Sequence, residues 1–254
     1  MAVLAVERKQ YIKDKLQREK RVIVADLAEY FDVTEETIRR DLVKLESEGI
    51  AQKIYGGAIL SENSNIDLPY SVRRLSNVDE KQIIADIVEP MIAEGANIML
   101  DASSTALFVT KALRSKNMLT VVTNSSEIIG ELADKSSWRV FATGGLLKEG
   151  GYAFVGARAV ESIKSFHVDV AIFSCKGIEM GNGLTDSNDN DAEIKKAIIN
   201  AAKKKILVVD CSKFDRISLV EIGDFSNIDV VVTDKKPSDE WCDFFEEKGI
   251  ELYY

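Results

Sequence analysis

"TEETIRRDLVKLESEG" (residues 34–49) is the stretch on which the reading of this chain turns. Thr34 is a good N-cap, Glu35 and Glu36 suit a first helical turn, and Gly49 is a natural stop. Between them Ile38, Leu42 and Leu45 recur at i, i+4 and i+7, a single apolar stripe. Arg39 and Arg40 break the pattern. Cations are disfavoured near the positive end of a helix dipole, so a partner outside the helix is implied. With the stripe turned inward, the opposite face carries Thr37, Arg40 and Lys44, with Arg39 alongside.

Working outward, "IVADLAEYF" (23–31) places Val24, Leu27, Ala28 and Phe31 at helical spacing, and "DVT" is a tight break. "AVERKQYIKDKLQREK" (5–20) gives a first helix with Val6, Tyr11, Ile12 and Leu16 available to a core. After the third helix, "IAQKIYGGAIL" (50–60) alternates and turns at Gly56 and Gly57, as a short ribbon would. A helix, a three-residue turn and a second helix fit helix-turn-helix geometry, in which the start of the second helix enters the major groove. Guanidinium forks bind phosphate or guanine edges bidentately, which answers the question of the arginines' partner. An ordinary solvated helix face has a similar composition. The ribbon tips the reading toward double-stranded DNA, because Lys53 and Tyr55 beside Gly56 and Gly57 make a wing against the backbone.

Beyond this the pattern changes class. Residues 59–77 lose apolar periodicity and read as a linker, which divides the chain into a DNA-binding domain (1–58) and a larger domain (78–254). In the latter, apolar runs such as "ANIMLDA", "LTVVTN", "WRVFATG", "VDVAIFS", "KKILVVD", "IDVVVTD" and "IELYY" alternate with helical segments such as "STALFVTKALRS" and "DAEIKKAIINAAKK". Strands rich in Val and Ile, joined by helices, predict an α/β fold with a mostly parallel sheet covered on both faces. The formal net charge of −9 argues against nucleic acid until the chain is divided. Residues 1–60 hold 11 basic and 11 acidic residues, so the remainder carries the whole excess. Local neutrality is compatible with DNA binding where the basic groups share a face. No apolar run approaches the ~20 residues of a membrane span, and no export signal is evident. One histidine (His167) and three scattered cysteines (Cys175, Cys211, Cys242) argue against a metal site and for reduced thiols in a cytoplasm.

In the larger domain "IMLDASSTALFV" passes from strand to helix through Asp101, Ser103, Ser104 and Thr105. Hydroxyls and free amides at a helix N-terminus form an anion site, although the same residues are good caps. Similar turns recur at 123–126 ("TNSS", with Asn124), 143–145 ("TGG", with Gly144 and Gly145), 174–177 ("SCKG", with Lys176) and 210–213 ("DCSK", with Lys213). In a parallel sheet all of these emerge on one edge, where open α/β sheets bind ligands. Their convergence points to a small anionic ligand.

Residues 24–59, "VADLAEYFDVTEETIRRDLVKLESEGIAQKIYGGAI", resemble the winged helix of the DeoR family of bacterial transcription regulators. "TIRRDL", "LESEG" and "GGA" carry the resemblance; Tyr55 stands where the family usually has histidine, and Lys53 where arginine is frequent. The turns of the larger domain resemble the family's effector domain, which is related in fold to ribose-5-phosphate isomerase and binds phosphorylated sugars or sugar derivatives. The resemblance implies effector contacts from Asp101, Ser103, Ser104 and Thr105, from Asn124, from Gly144 and Gly145, and from Lys213 in "DCSKF". In "GLTDSNDNDAEIKKA" (183–197) it implies Asp186, Asn188 and Glu193 as partners for sugar hydroxyls. A sugar-phosphate isomerase is the alternative from another class. Aldose–ketose chemistry needs a placed base and enediolate stabilisation. The acid-rich loop of such isomerases is here replaced by Ser174, Cys175 and Lys176, leaving Glu179 as a distant substitute. The expectation is therefore a cytoplasmic, non-enzymatic repressor of a carbohydrate-use operon. It would need no cofactor, and would act on operator DNA as a homo-oligomer, a dimer or tetramer.

Overall fold

The first sixty residues fold as their apolar stripes dictate: α1 (Ala5–Glu19), α2 (Val24–Phe31) and α3 (Glu35–Ser47), with strands β1 (Arg21–Ile23), β2 (Ala51–Ile54) and β3 (Gly57–Leu60). The computed structural model describes residues 5–47, 50–60 and 70–254, so Gly49 and most of the expected linker lie outside the described residues. Ile12, Leu16, Leu27, Ile38, Leu42 and Leu45 are all buried; Val6, expected in this core, is exposed. Tyr11 instead stacks on Tyr30, with ring centroids 4.6 Å apart.

Strand β1 was not anticipated. Ile23 belongs to it rather than to α2, because Val22 turns into the core while β1 pairs antiparallel with β3. The close approach explains a glycine. A Cβ on Gly57 would lie 2.1 Å from the Val22 carbonyl oxygen. The second unexpected feature is a buried ion pair, Arg8 Nε to Asp41 Oδ2 at 2.6 Å, which ties α1 to the inner face of α3.

The chain divides into two compact units, Met1–Leu68 and Pro69–Tyr254. The second opens with α4 (Tyr70–Arg73) and α5 (Val78–Val88), followed by β4 (Asn97–Leu100), α6 (Ser104–Ala112), β5 (Thr120–Thr123), α7 (Ser126–Leu132) and β6 (Arg139–Ala142). A ribbon of β7 (Leu146–Leu147) and β8 (Phe154–Val155) leads to α8 (Ala157–Lys164) and β9 (Val168–Phe173). Then come β10 (Gly177–Glu179), β11 (Gly183–Asp186), α9 (Asp189–Asn200), β12 (Ala202–Val208), β13 (Val220–Gly223), β14 (Val230–Val232), α10 (Asp239–Glu247) and β15 (Glu251–Tyr253). The stretch read as a linker over 59–77 thus includes the end of β3 and all of α4. Its polar composition hides two anchors, the buried Tyr70 and Val72. The helix expected over 191–204 likewise gives way to strand at Ala202.

Seven parallel strands form the main sheet in the order β15-β14-β12-β9-β4-β5-β6. Alternate residues feed two cores. Ile98, Leu100, Val121, Ile172 and Val208 pack with side chains of α5, α6 and α7 on one face. Met99, Val122, Ala171, Phe173 and Leu207 pack with those of α8, α9 and α10 on the other. The chain runs outward from β4 through β5 and β6, then returns to place β9 on the far side of β4. That reversal is a topological switch point, and the crevice it opens is at the carboxyl ends of β4 and β9.

Candidate functional site

In the first unit, Thr34 caps α3 as its sequence implies: its hydroxyl accepts from the Thr37 amide at 3.3 Å and lies 2.9 Å from the Thr37 hydroxyl. One turn on, Arg39 pairs with Glu35 at 2.5 Å and Arg40 with Glu36 at 3.3 Å, both at i, i+4 and both well exposed. The first-turn acids therefore hold the arginines in place while leaving them accessible. Between α3 and the β2–β3 ribbon lies a groove of about 600 Å³ that brings together Arg39, Arg40, Lys53, Tyr55, Gly56 and Gly57. Gly56 has φ +80°, as the ribbon's turn requires, and Tyr55 beside it is fully exposed. Lys53 is steadied by Glu46, ion-paired at 3.1 Å. Thr34, Thr37 and Lys44 are not among the groove's lining residues. From α3 the groove is lined by Glu36, Arg39, Arg40 and Val43, spaced i, i+3, i+4, i+7, together with Leu42.

In the second unit a small cleft of about 30 Å³ sits at the switch point. Asp101, Ser103 and Asn124 line it, as the strand-end argument anticipates. Arg73, Lys148, Asp191 and Lys195 also line it and were not foreseen. Asp101 follows β4 and is 1% exposed; it accepts from the Ser103 amide (3.1 Å) and hydroxyl (2.5 Å) and from the Ser174 amide (3.2 Å) after β9. Burial pushes its carboxyl above the ordinary range, and the Lys195 charge opposes this. Lys195 reaches from α9 to bond Asp186 and stands 3.8 Å from Asp101. Burial alone would drive this ammonium toward neutrality, but Asp186, Asp101 and Asp191 outweigh it and hold it charged. Asp191 pairs with Lys148 at 2.7 Å. Burial tends to raise its pKa, but Lys195 and Lys148 bring it below the usual carboxylate range.

The remaining expected effector residues are placed around this cleft rather than in it. Ser104 and Thr105 are buried in the first turn of α6, where Ser103 supplies the cap. Asp186 stands behind Lys195 as its ion-pair partner, and Asn188 caps α9 while donating to Asp191 at 2.8 Å. Gly144 (φ +64°) and Gly145 (φ +115°) shape a turn; a Cβ on Gly145 would lie 2.8 Å from the Val155 carbonyl oxygen, so its role is close packing. Lys176 is half-buried, its amide bonded to the Thr185 carbonyl at 3.0 Å. Lys213 lies in a single 3₁₀ turn after β12, beside Asp210, and does not line the cleft. Glu193 does not line the cleft. It is exposed and pairs with Lys196 at 3.3 Å, because two residues along a helix from Asp191 turns a side chain nearly to the opposite face.

The isomerase alternative fails at its named base. The Glu179 carboxylate accepts from the Gly181 amide (2.9 Å), the Asn182 amide (2.7 Å) and the Asn182 side chain (2.8 Å), closing the β10–β11 hairpin. These bonds hold its pKa below the usual range. Burial pushes the Cys175 thiol up to about 12, so it is no thiolate nucleophile at neutral pH. His167 is exposed, the three cysteines are free, and no group of metal-ligating side chains is found among the described residues. No helix among them is long and apolar enough to cross a membrane.

Comparison with known proteins gives these two sites a context. Residues 8–64 match the model of the DeoR-like helix-turn-helix domain, and residues 76–235 that of the DeoR C terminal sensor domain. The chain is 35% identical over 250 residues to the uncharacterized HTH-type transcriptional regulator YulB of Bacillus subtilis (strain 168), covering 98% of this chain and 96% of that one. It is 32% identical over 246 residues to the HTH-type transcriptional repressor GlcR of the same organism, covering 97% and 95%. It is also 32% identical over 216 residues to the glycerol-3-phosphate regulon repressor of Escherichia coli (strain K12), covering 85% of each. Among solved structures, ribose 5-phosphate isomerase A of Methanocaldococcus jannaschii aligns with a TM-score of 0.40 at 18% identity, covering 55% of each chain. With a helix-turn-helix that presents arginines beside a wing, and a sensor domain whose cleft opens at the sheet's switch point, the chain belongs to the DeoR family of DNA-binding transcription regulators.

Proposed function

We propose that the chain represses carbohydrate-use genes in the cytoplasm, and that a phosphorylated sugar or sugar derivative bound in the switch-point cleft controls its hold on operator DNA. The observation that carries this reading is the Asn124 side chain. Asn124 is 3% exposed and lines the cleft; its amide nitrogen donates to the Phe154 carbonyl at 3.0 Å, and its buried Oδ1 has no partner among the described residues. A buried acceptor left unsatisfied calls for a donor, and a sugar hydroxyl is one. Around it stand cations suited to a phosphate (Arg73, Lys148, Lys195) and carboxylates suited to hydroxyls (Asp101, Asp191). The names of the relatives GlcR and the glycerol-3-phosphate regulon repressor support a repressor. Arg39, Arg40, Lys53 and Tyr55 are the DNA-facing set, with Thr34, Thr37 and Lys44 flanking. One such module covers a half-site, so the working form is a homo-oligomer.

The test is thermal denaturation of the full chain with glycerol 3-phosphate, glucose 6-phosphate, fructose 1-phosphate and fructose 6-phosphate, each beside its unphosphorylated parent. A ligand at about 100 times its Kd stabilises the native state by about 2.7 kcal/mol. At least one phosphorylated compound should raise the melting temperature, and release the chain from an operator selected out of random DNA, where its parent does neither. Equal responses to parent and phosphate would overturn the reading.

A further inference from the structure

The cleft as it stands has room for about two waters, on a measure in which one water takes ~10–15 Å³. A sugar phosphate enters only if a wall moves. Asp101 and Ser103 join β4 to α6, Asn124 joins β5 to α7, and Ile194 and Lys195 belong to α9, all elements rooted in the two cores. Arg73 is different. It ends α4, a four-residue helix, and sits over the Tyr70 ring with its guanidinium 5.4 Å from the centroid.

The segment 70–77 lies across the carboxyl edge of the sheet, anchored at its start by the buried Tyr70 and Val72 and held beyond them by polar ties. At one end Arg74 pairs with Glu127, at the start of α7 after β5, at 2.5 Å. At the other, the Asn77 side chain donates to Asp210, after β12, at 3.2 Å. Lys81, buried in α5, donates to the carbonyls of Arg73 (2.7 Å) and Ser76 and so fastens the segment from behind. In the strand order, β4 and β9 lie between β5 and β12, so the ties straddle the switch point. The same segment is the first of the sensor unit, and follows residue 69 directly in the chain.

We propose that residues 70–77 form a movable roof over the cleft and couple ligand to DNA: the ligand's phosphate is received by Arg73, and the roof's release from Glu127 and Asp210 is passed down the chain to the DNA-binding unit. The inference rests on the sugar-phosphate reading above and adds the element through which it acts. Bonds present only in the closed state bias the equilibrium toward it, so deleting them must favour the ligand-bound state. By linkage, whatever strengthens ligand binding in this way weakens operator binding.

The experiment uses the full chain, the selected operator and whichever sugar phosphate of the panel stabilises the wild type. Asn77→Gly removes the tie to Asp210 and tolerates the left-handed backbone at this position (φ +49°). Arg74→Ala removes the tie to Glu127 at a half-exposed position, so at least one variant is expected to fold. Each should release operator at about tenfold less sugar phosphate, the loss of one charge-assisted bond, and should bind operator more weakly without ligand. Arg73→Gln should need at least about tenfold more ligand to release operator. Wild-type release midpoints in both tie variants, with ligand-induced stabilisation intact, would overturn the roof and leave the ligand reading standing. A wild-type chain that no sugar phosphate stabilises or releases would overturn both.

Discussion

Lys195 shows how much one side chain organises here. It is largely buried beside Asp101 and Asp186, and three carboxylates keep it charged against the cost of burial. Removing it strands two buried carboxylates, and breaking a buried pair in this way costs about 3–5 kcal/mol. Lys195→Met should therefore lower the urea midpoint of the full chain strongly, and adding Asp186→Asn should restore part of the loss. A double variant no better than the single would show that the lysine acts by packing alone. The sequence hid this residue for a physical reason. Lys195 is one of two adjacent lysines, and only the register of α9 against the sheet decides that it turns inward while Lys196 faces Glu193 at the surface. Asp191 and Lys195 share a face at i, i+4, a signal the sequence does carry; Arg73 and Lys148 reach the cleft from distant segments and leave no local trace.

At the scale of elements, the period-two alternation of the strands and the stripe of α3 were legible because burial on one or two faces writes itself into composition. Strand β1 was not, since three residues with one buried side chain make no pattern. Neither was the β7–β8 ribbon, whose Leu146 and Leu147 are both exposed. For α3 the division of faces gives a direct expectation. Arg40 is exposed and, among the described residues, pairs with Glu36 on its own helix, so Arg40→Ala should leave the denaturation midpoint nearly unchanged, as loss of an exposed pair does. Operator binding should weaken by about 1–3 kcal/mol. A gel-shift series over salt then sorts the contact: a flatter salt slope marks a phosphate partner, and relaxed sequence preference at an unchanged slope marks a base.

The stability of the whole molecule carries the signature of the α5 lysine that fastens residues 70–77. Burial lowers the Lys81 ammonium to about 8, opposed by Asp210 and reinforced by Lys213 and Arg73. A lysine depressed in the folded chain binds fewer protons there than in the unfolded one between that value and its ordinary range, so stability rises with pH across this window. From pH 7.5 to 9 the wild type should gain on the order of 1 kcal/mol relative to Lys81→Met, read from paired urea titrations at each pH. Parallel curves would show that Lys81 keeps an ordinary pKa. The two compact units, each with its own hydrophobic core, have a consequence for inheritance. The groove-lining residues of the first and the cleft-lining residues of the second are borne on separately supported scaffolds. After gene duplication, one copy could acquire a new chemical cue while still addressing the old promoter, or keep its cue and move to a new one. Such a lineage can therefore diversify one specificity at a time, without passing through an intermediate that has lost both.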